Sequence, residues 1–185
     1  GNPADVFKHT VLIALVRAMQ HKDKGIRFID THAGPALYDL ESEAAQKNRE
    51  FDQGISRVWQ QPPALVPITD LLALVRACNP NGELRFYPGS PRLLRALLRP
   101  QDEIVLCELH PTEQRALSER FAGDRKVRVL TGDGYSALNQ FLPPPTGRGL
   151  VLIDPSFELK TELNDMKAAM RRALTLFGHG VYVIW

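Results

Sequence analysis

The chain is poor in the features that mark secreted, metal-bound or membrane-spanning proteins. It has only two cysteines in 185 residues. Cys78 and Cys107 lie far apart, outside any CxxC spacing and among apolar neighbours, which suits reduced core thiols and gives no disulfide framework or zinc site. No HExxH or HxH spacing occurs, so the five histidines supply no metal motif. No apolar run approaches the roughly 20 residues of a membrane-spanning helix, and no basic-then-apolar segment opens the chain as a secretory signal would. A cytoplasmic protein without membrane contact is expected. An excess of one charge is also missing: 23 Lys+Arg stand against 21 Asp+Glu, so a nucleic-acid partner would need a local basic face. With 44% hydrophobic residues, disorder is excluded and one ordinary domain with a small insertion is expected. The first residue is Gly and the last, Trp185, ends an apolar run, so both ends read as cut.

What is present begins with a helix start. In Asn2-Pro3-Ala4-Asp5 the asparagine can cap, proline fits the first helical position and aspartate suits the positive end of the dipole. The helix runs to about His21, and its apolar stripe Leu12, Leu15, Val16, Met19 extends back by helical spacing to Lys8. Four apolar runs then end in a carboxylate: Ile26–Asp30, Glu103–Glu108, Val127–Asp133 and Gly149–Asp154. Helix-like stretches, Thr112–Ala122 and Gly134–Leu142, lie between the last three. A helix over Thr161–Phe177 and a strand over Gly180–Trp185 continue the alternation expected of a doubly wound parallel sheet.

Residues 41–86 break that rhythm. They hold two helical stretches, Phe51–Gln60 and Ile68–Cys78, separated by a proline-containing break, which reads as a helical insertion after the first strand. The expected organisation is therefore residues 1–40 and 87–185 as one α/β domain, interrupted by 41–86. After Tyr87-Pro88-Gly89, Ser90 is placed to cap a helix with Pro91 at its first position. On that helix Arg92, Arg95 and Arg99 share one face, a stripe that could meet phosphates or simply face solvent.

Ligands of open parallel sheets bind beyond the carboxyl ends of the strands, where Asp30, Glu108, Asp133 and Asp154 are predicted to gather. Glu108 is placed to accept hydrogen bonds from ribose hydroxyls, and Asp133 from an adenine amino group. Gly34 lacks the GxGxxG partners that let backbone approach a pyrophosphate, so a cofactor without phosphates fits better. S-adenosyl-L-methionine is such a cofactor, and its cationic groups suit acidic surroundings. Asp154-Pro155-Ser156-Phe157 resembles the [D/N]-P-P-[Y/F] signature of methyltransferases acting on exocyclic or amide nitrogens. The aryl amine is a poor nucleophile because its lone pair is delocalised into the ring. The Asp154 carboxylate and the Pro155 carbonyl can each accept one of its hydrogens, and Phe157 can stack on a flipped base.

At this point the chain resembles the RlmJ family of 23S ribosomal RNA adenine-N6 methyltransferases over essentially its whole length. The resemblance rests on Gly1-Asn2, Ala4-Asp5-Val6, Lys8-His9-Thr10, Asp30-Thr31-His32-Ala33-Gly34, Tyr87-Pro88-Gly89-Ser90-Pro91, Glu108-Leu109-His110-Pro111, Asp133-Gly134 and Ile153-Asp154-Pro155. It implies a class I methyltransferase, an α/β Rossmann-like fold with a mostly parallel sheet and a small helical insertion after the first strand. It also implies cofactor contacts from His9, His32, Ser90, Glu108, Asp133, Gly134 and Asp154, with Asp154 also the catalytic acceptor and Lys8 near the active site. No metal is implied. The implied partner is 23S ribosomal RNA, protein-free or partly assembled, and the absence of an apolar docking stripe points to a monomer.

Two departures stand out. Ser156 replaces the second proline of the signature and Phe157 its tyrosine. The family chain also begins earlier and continues past the fifth strand, so the sheet is expected to be incomplete at its C-terminal side. Three alternatives stay open: adenine in DNA, an amide nitrogen in protein, or an RNA-binding module without catalysis.

Overall fold

The computed structural model describes residues 1–156 and 161–185. In chain order its elements are α1 (Pro3–Met19), β1 (Arg27–Asp30), β2 (Leu37–Asp39), α2 (Glu43–Asn48), α3 (Ile55–Gln60), α4 (Val66–Ala77), β3 (Phe86–Pro88), α5 (Ser90–Leu97), β4 (Glu103–Glu108), α6 (Pro111–Arg120), β5 (Val127–Thr131), α7 (Gly134–Phe141), β6 (Gly149–Ile153), α8 (Glu162–Leu176) and β7 (Val181–Ile184). They form two compact units: Gly1–His21 with Ala36–Leu97, and Lys22–Pro35 with Leu98–Trp185.

The second unit is the α/β part. Its five strands are all parallel in the order β5-β4-β1-β6-β7. Strands β1, β4 and β6 are apolar runs because both of their faces are covered; β6 is buried at every position. On one face Tyr135, Leu138 and Phe141 of α7 and Ala169 and Ala173 of α8 pack with Phe177 over Ile29, Val105, Val151 and Ile153. The lead-in to β4 is held by Asp102, whose carboxylate is completely buried. It accepts from the Ile26 amide at 2.9 Å and from the Arg99 amide at 3.1 Å, and its two oxygens take Arg99 Nε at 2.9 Å and Nη2 at 3.0 Å.

That arrangement corrects the arginine stripe. Helix α5 stops at Leu97, so Arg99 leaves the face, pairs with Asp102 and donates from Nη1 to the Lys22 carbonyl at 2.8 Å. Arg92 is engaged too, its Nε donating to Cys78 Sγ at 3.0 Å. The periodicity was that of a solvated helix, but the charges are structural.

In the first unit, Asn2 and Asp5 form a reciprocal capping box at the start of α1. The buried residues of α1 are Val6, Leu12, Ile13 and Val16, a face turned slightly from the expected one, since Leu15 and Met19 are only half buried. This face meets α4 and α5. The helical segment contains α2, a short 3-10 turn at Glu50–Asp52, α3 and α4, more pieces than the two expected. β2 and β3 form an antiparallel pair with Tyr38 opposite Tyr87. Buried Asn79 ties α4 to β3: its Nδ2 donates to the Val75 and Phe86 carbonyls, and its Oδ1 accepts from the Arg85 and Phe86 amides. At α5 the Gly89 carbonyl, not Ser90, accepts the first helical hydrogen bonds, from Arg92 and Leu93.

Candidate active site

The parallel register brings the strand ends of the second unit to one edge of the sheet, Asp30 standing opposite Leu106 on one side and Leu152 on the other. Glu108 is buried there, although a carboxylate normally stays in water. It persists because each oxygen has a donor: Oε2 accepts from the Gly34 amide at 2.7 Å, and Oε1 from the His110 amide at 2.7 Å. Glu108 thus clasps the turn after β1 to the turn after its own strand. The Gly34 amide, the group a dinucleotide fold would offer to a phosphate, is already held by a negative charge.

Asp133 is the N-cap of α7. Its Oδ1 accepts from the Tyr135 amide at 2.9 Å, and its Oδ2 accepts from the Ser136 amide at 3.1 Å and the Ser136 hydroxyl at 2.6 Å. The side chain is exposed, and each capped oxygen retains a lone pair for a ligand. Gly134 follows because nothing larger fits: a Cβ there would stand 2.1 Å from the Thr31 carbonyl oxygen and 2.7 Å from Thr31 Cα, a backbone that cannot step aside. Gly134→Ala is expected to cost about 1–3 kcal/mol through overpacking. A thermal melt should read this as a midpoint lowered by about 2–4 °C for each kcal/mol; an unchanged midpoint would mean that the turn can yield.

Asp154, half-buried, and Pro155, buried, follow β6 directly. Phe157, the expected stacking residue, lies outside the described residues. The negative charge of this edge registers on two neighbours. Burial, together with Asp30, Asp133 and Glu108, pushes the Cys107 thiol up to about 12, so it is an inert core group. Burial holds the His32 imidazole below its ordinary value, against the upward pull of Glu162, Glu108, Asp154 and Asp133. His32 Nδ1 lies 2.8 Å from Thr31 Oγ1, and that hydroxyl gives its only hydrogen to the Leu152 carbonyl at 3.0 Å. Nδ1 is therefore the protonated nitrogen and Nε2 the acceptor.

The remaining predicted site residues, Lys8, His9 and Ser90, belong to the first unit. His9 Nδ1 meets the hydroxyl of buried Tyr87 at 2.8 Å and their rings stack at 5.5 Å. Burial pushes His9 down to about 4, over the opposing pull of Asp5, so it is neutral at physiological pH. Ser90 is buried at the start of α5. The structure thus gathers His32, Glu108, Asp133, Gly134 and Asp154 in one unit, and places Lys8, His9 and Ser90 in the other. Among the described residues, no group of three or more His, Cys, Asp or Glu side chains could hold a metal ion.

A family model described as "Ribosomal RNA large subunit methyltransferase D, RlmJ" matches residues 23–185. The chain belongs to the RlmJ family. RlmJ-type relatives include the ribosomal RNA large subunit methyltransferase J of Escherichia coli (strain K12), 40% identical over 185 residues, and that of Haemophilus influenzae, 39% identical over 186 residues. Each alignment covers all of this chain and 66% of the relative, so the chain spans just under two thirds of their length. A crystal structure of a Legionella pneumophila protein superposes with a TM-score of 0.92 at 40% identity, covering 100% of this chain and 68% of that one. The RlmJ-family fold, an α/β architecture around a parallel sheet, is therefore the one the strand pattern and the motifs imply.

Two buried oxygens of this RlmJ-family chain escaped sequence reasoning. The Tyr135 hydroxyl and Glu162 Oε2 are buried without a hydrogen-bond partner among the described residues. Nothing in sequence marks them, because one is an apolar-face residue of a helix and the other an ordinary first-turn acid.

Proposed function

We propose that the chain is the methyl-transferring part of an S-adenosylmethionine-dependent enzyme that methylates the exocyclic N6 amine of an adenine in 23S ribosomal RNA. The observation that carries the reading is the Glu108–Gly34 clasp. By putting a carboxylate on the amide of the turn after β1, it disfavours phosphate and favours a nucleoside cofactor that is cationic at its other end. The residues present fit that cofactor: Glu108 retains lone pairs for ribose hydroxyls, Asp133 for an adenine amino group, and the surrounding carboxylates suit positive charge. When bound, the cofactor would supply an electrophilic methyl group.

The chain's own part is to hold the amine. Asp154 and the Pro155 carbonyl each accept one N–H, which turns the nitrogen lone pair out of the ring plane, and Asp154 neutralises the charge that develops as the nitrogen becomes fourfold substituted. A nucleobase extruded from a single-stranded or partly assembled RNA could reach such a site. A ribosomal RNA substrate places this activity in the cytoplasm. Lys8, His9 and Ser90 are assigned to the same site through the family motifs they match, and their roles rest on that assignment alone.

The test is methyl transfer from labelled S-adenosylmethionine to protein-free 23S RNA, DNA and bulk protein in parallel, using the full-length chain. Label confined to RNA and recovered as N6-methyladenine is the expected result. Label in DNA or protein would replace the substrate, and cofactor binding without transfer would leave an RNA-binding module.

A further inference from the structure

Every oxygen around the strand ends has a partner except two. The Tyr135 hydroxyl is buried, its residue only 9% exposed, and it makes no hydrogen bond among the described residues; Glu162 Oε2, at the start of α8, is in the same condition. Leaving a hydroxyl and a carboxylate oxygen both desolvated and unpaired costs about 1–3 kcal/mol each, and more for the charged one. Native folds keep such groups where a ligand completes them. The two belong to one locality. Glu162 is the leading charge acting on Tyr135, whose phenol is pushed up to about 12 by burial and then by Glu162, Asp133 and Asp165. Glu162 is also the leading charge acting on His32, and His32 stands edge-to-face with the Tyr135 ring, centroids 5.2 Å apart at 68°.

The chemistry of the set is one-sided. Glu162 Oε2 can only accept, the Tyr135 oxygen has lone pairs to offer, and the Thr31 contact leaves His32 with Nε2 as an acceptor. Glu108, Asp133 and Asp154 add further negative charge around His32. An anion has no place there, and a neutral amine would leave the carboxylate uncompensated. A primary ammonium, with three N–H donors and a positive charge, satisfies all of it.

We propose that Tyr135 and Glu162, with His32, form the subsite for the α-ammonium of the methyl donor's amino-acid moiety. This rests on the cofactor reading above and deepens it: the two residues discriminate an amino-acid-bearing nucleoside from a nucleoside that lacks the amine.

The probes are S-adenosylhomocysteine and its analogue without the α-amino group, titrated calorimetrically into the parent chain, Tyr135→Phe and Glu162→Gln. The parent should prefer the amine-bearing ligand. Each variant should bind S-adenosylhomocysteine about 10- to 100-fold more weakly, the range of a hydrogen bond to a charged group, and bind the deaminated analogue as the parent does. Ligand-free Tyr135→Phe should melt at or above the parent's temperature, because the hydroxyl it removes has no bond to lose; a lower midpoint would assign the hydroxyl a structural role and overturn the subsite. Equal loss for both ligands, or no loss, would also overturn it. If the parent bound neither ligand, the cofactor reading itself would fall, an outcome distinct from a parent that binds both equally, which removes only the subsite.

Discussion

Alanine in place of Asp154 will lower methyl transfer to RNA by about 10²–10⁴-fold, the range by which a positioned proton acceptor contributes to catalysis. The effect is large because two functions leave together: the acceptor that turns the amine lone pair toward the methyl group, and the negative charge that balances the cationic nitrogen. Asp154→Asn separates them, since an amide oxygen still accepts a hydrogen bond but carries no charge, and its rate should lie between the other two. S-adenosylhomocysteine binding, measured on the same preparations, should weaken far less than turnover falls. A rate within tenfold of the parent for Asp154→Ala would remove Asp154 from the mechanism.

Asp102→Ala will cost about 3–5 kcal/mol of folding stability, the range for removing one partner of a buried charge pair. The carboxylate is fully buried, and its loss strands the Ile26 amide and the Arg99 guanidinium together. Burial pushes the Asp102 carboxyl up, but the hydrogen bonds from the Arg99 guanidinium and from the Ile26 and Arg99 amides outweigh it and hold the group below the ordinary carboxylate range. A carboxyl whose value is depressed by folding contributes fully above its unfolded value of about 3.9 and loses that contribution as pH falls through the lower folded value. The gap in urea midpoint between parent and variant should therefore be constant from about pH 5 to 8 and narrow below about pH 4. A gap of unchanged size at pH 3 would mean that the pair contributes nothing as a charge.

The legible parts of the fold were those fixed by local pattern. The β4 run Glu103–Glu108 has the bounds its apolar stretch predicts, and the turn acids gather because every strand of a parallel sheet ends at the same edge. β3 was not legible: Phe86-Tyr87-Pro88 is three residues long, contains a proline, and becomes a strand only because Leu37–Asp39 pairs with it from far back in the chain. The arginine stripe misled for the same reason, since helical spacing does not reveal that Asp102 waits three residues beyond Arg99. In the site, Glu108 and Asp133 were readable as acids at strand ends. Their engagement by the Gly34, His110, Tyr135 and Ser136 amides was not, because it depends on how the turns fold back. Tyr135 and Glu162 were invisible altogether, because a missing partner is a property of three-dimensional packing and leaves no mark on residue order.

The central strand has a history imposed by synthesis. β1 is flanked by β4 and β6, Arg27 pairing with Glu103 on one side and Gly149 on the other. The ribosome therefore delivers Phe28 and Ile29 long before either neighbour exists, and no hairpin can shelter them, since parallel strands close only through long crossovers. Until Gly149–Ile153 has emerged, the nascent chain carries an apolar ribbon with an unpaired edge, the kind of surface that joins the wrong partner. A nascent chain halted before that point holds most of the strands and yet lacks one wall of its centre, so translational pausing in the stretch before β6 is where this protein is most exposed to misassembly.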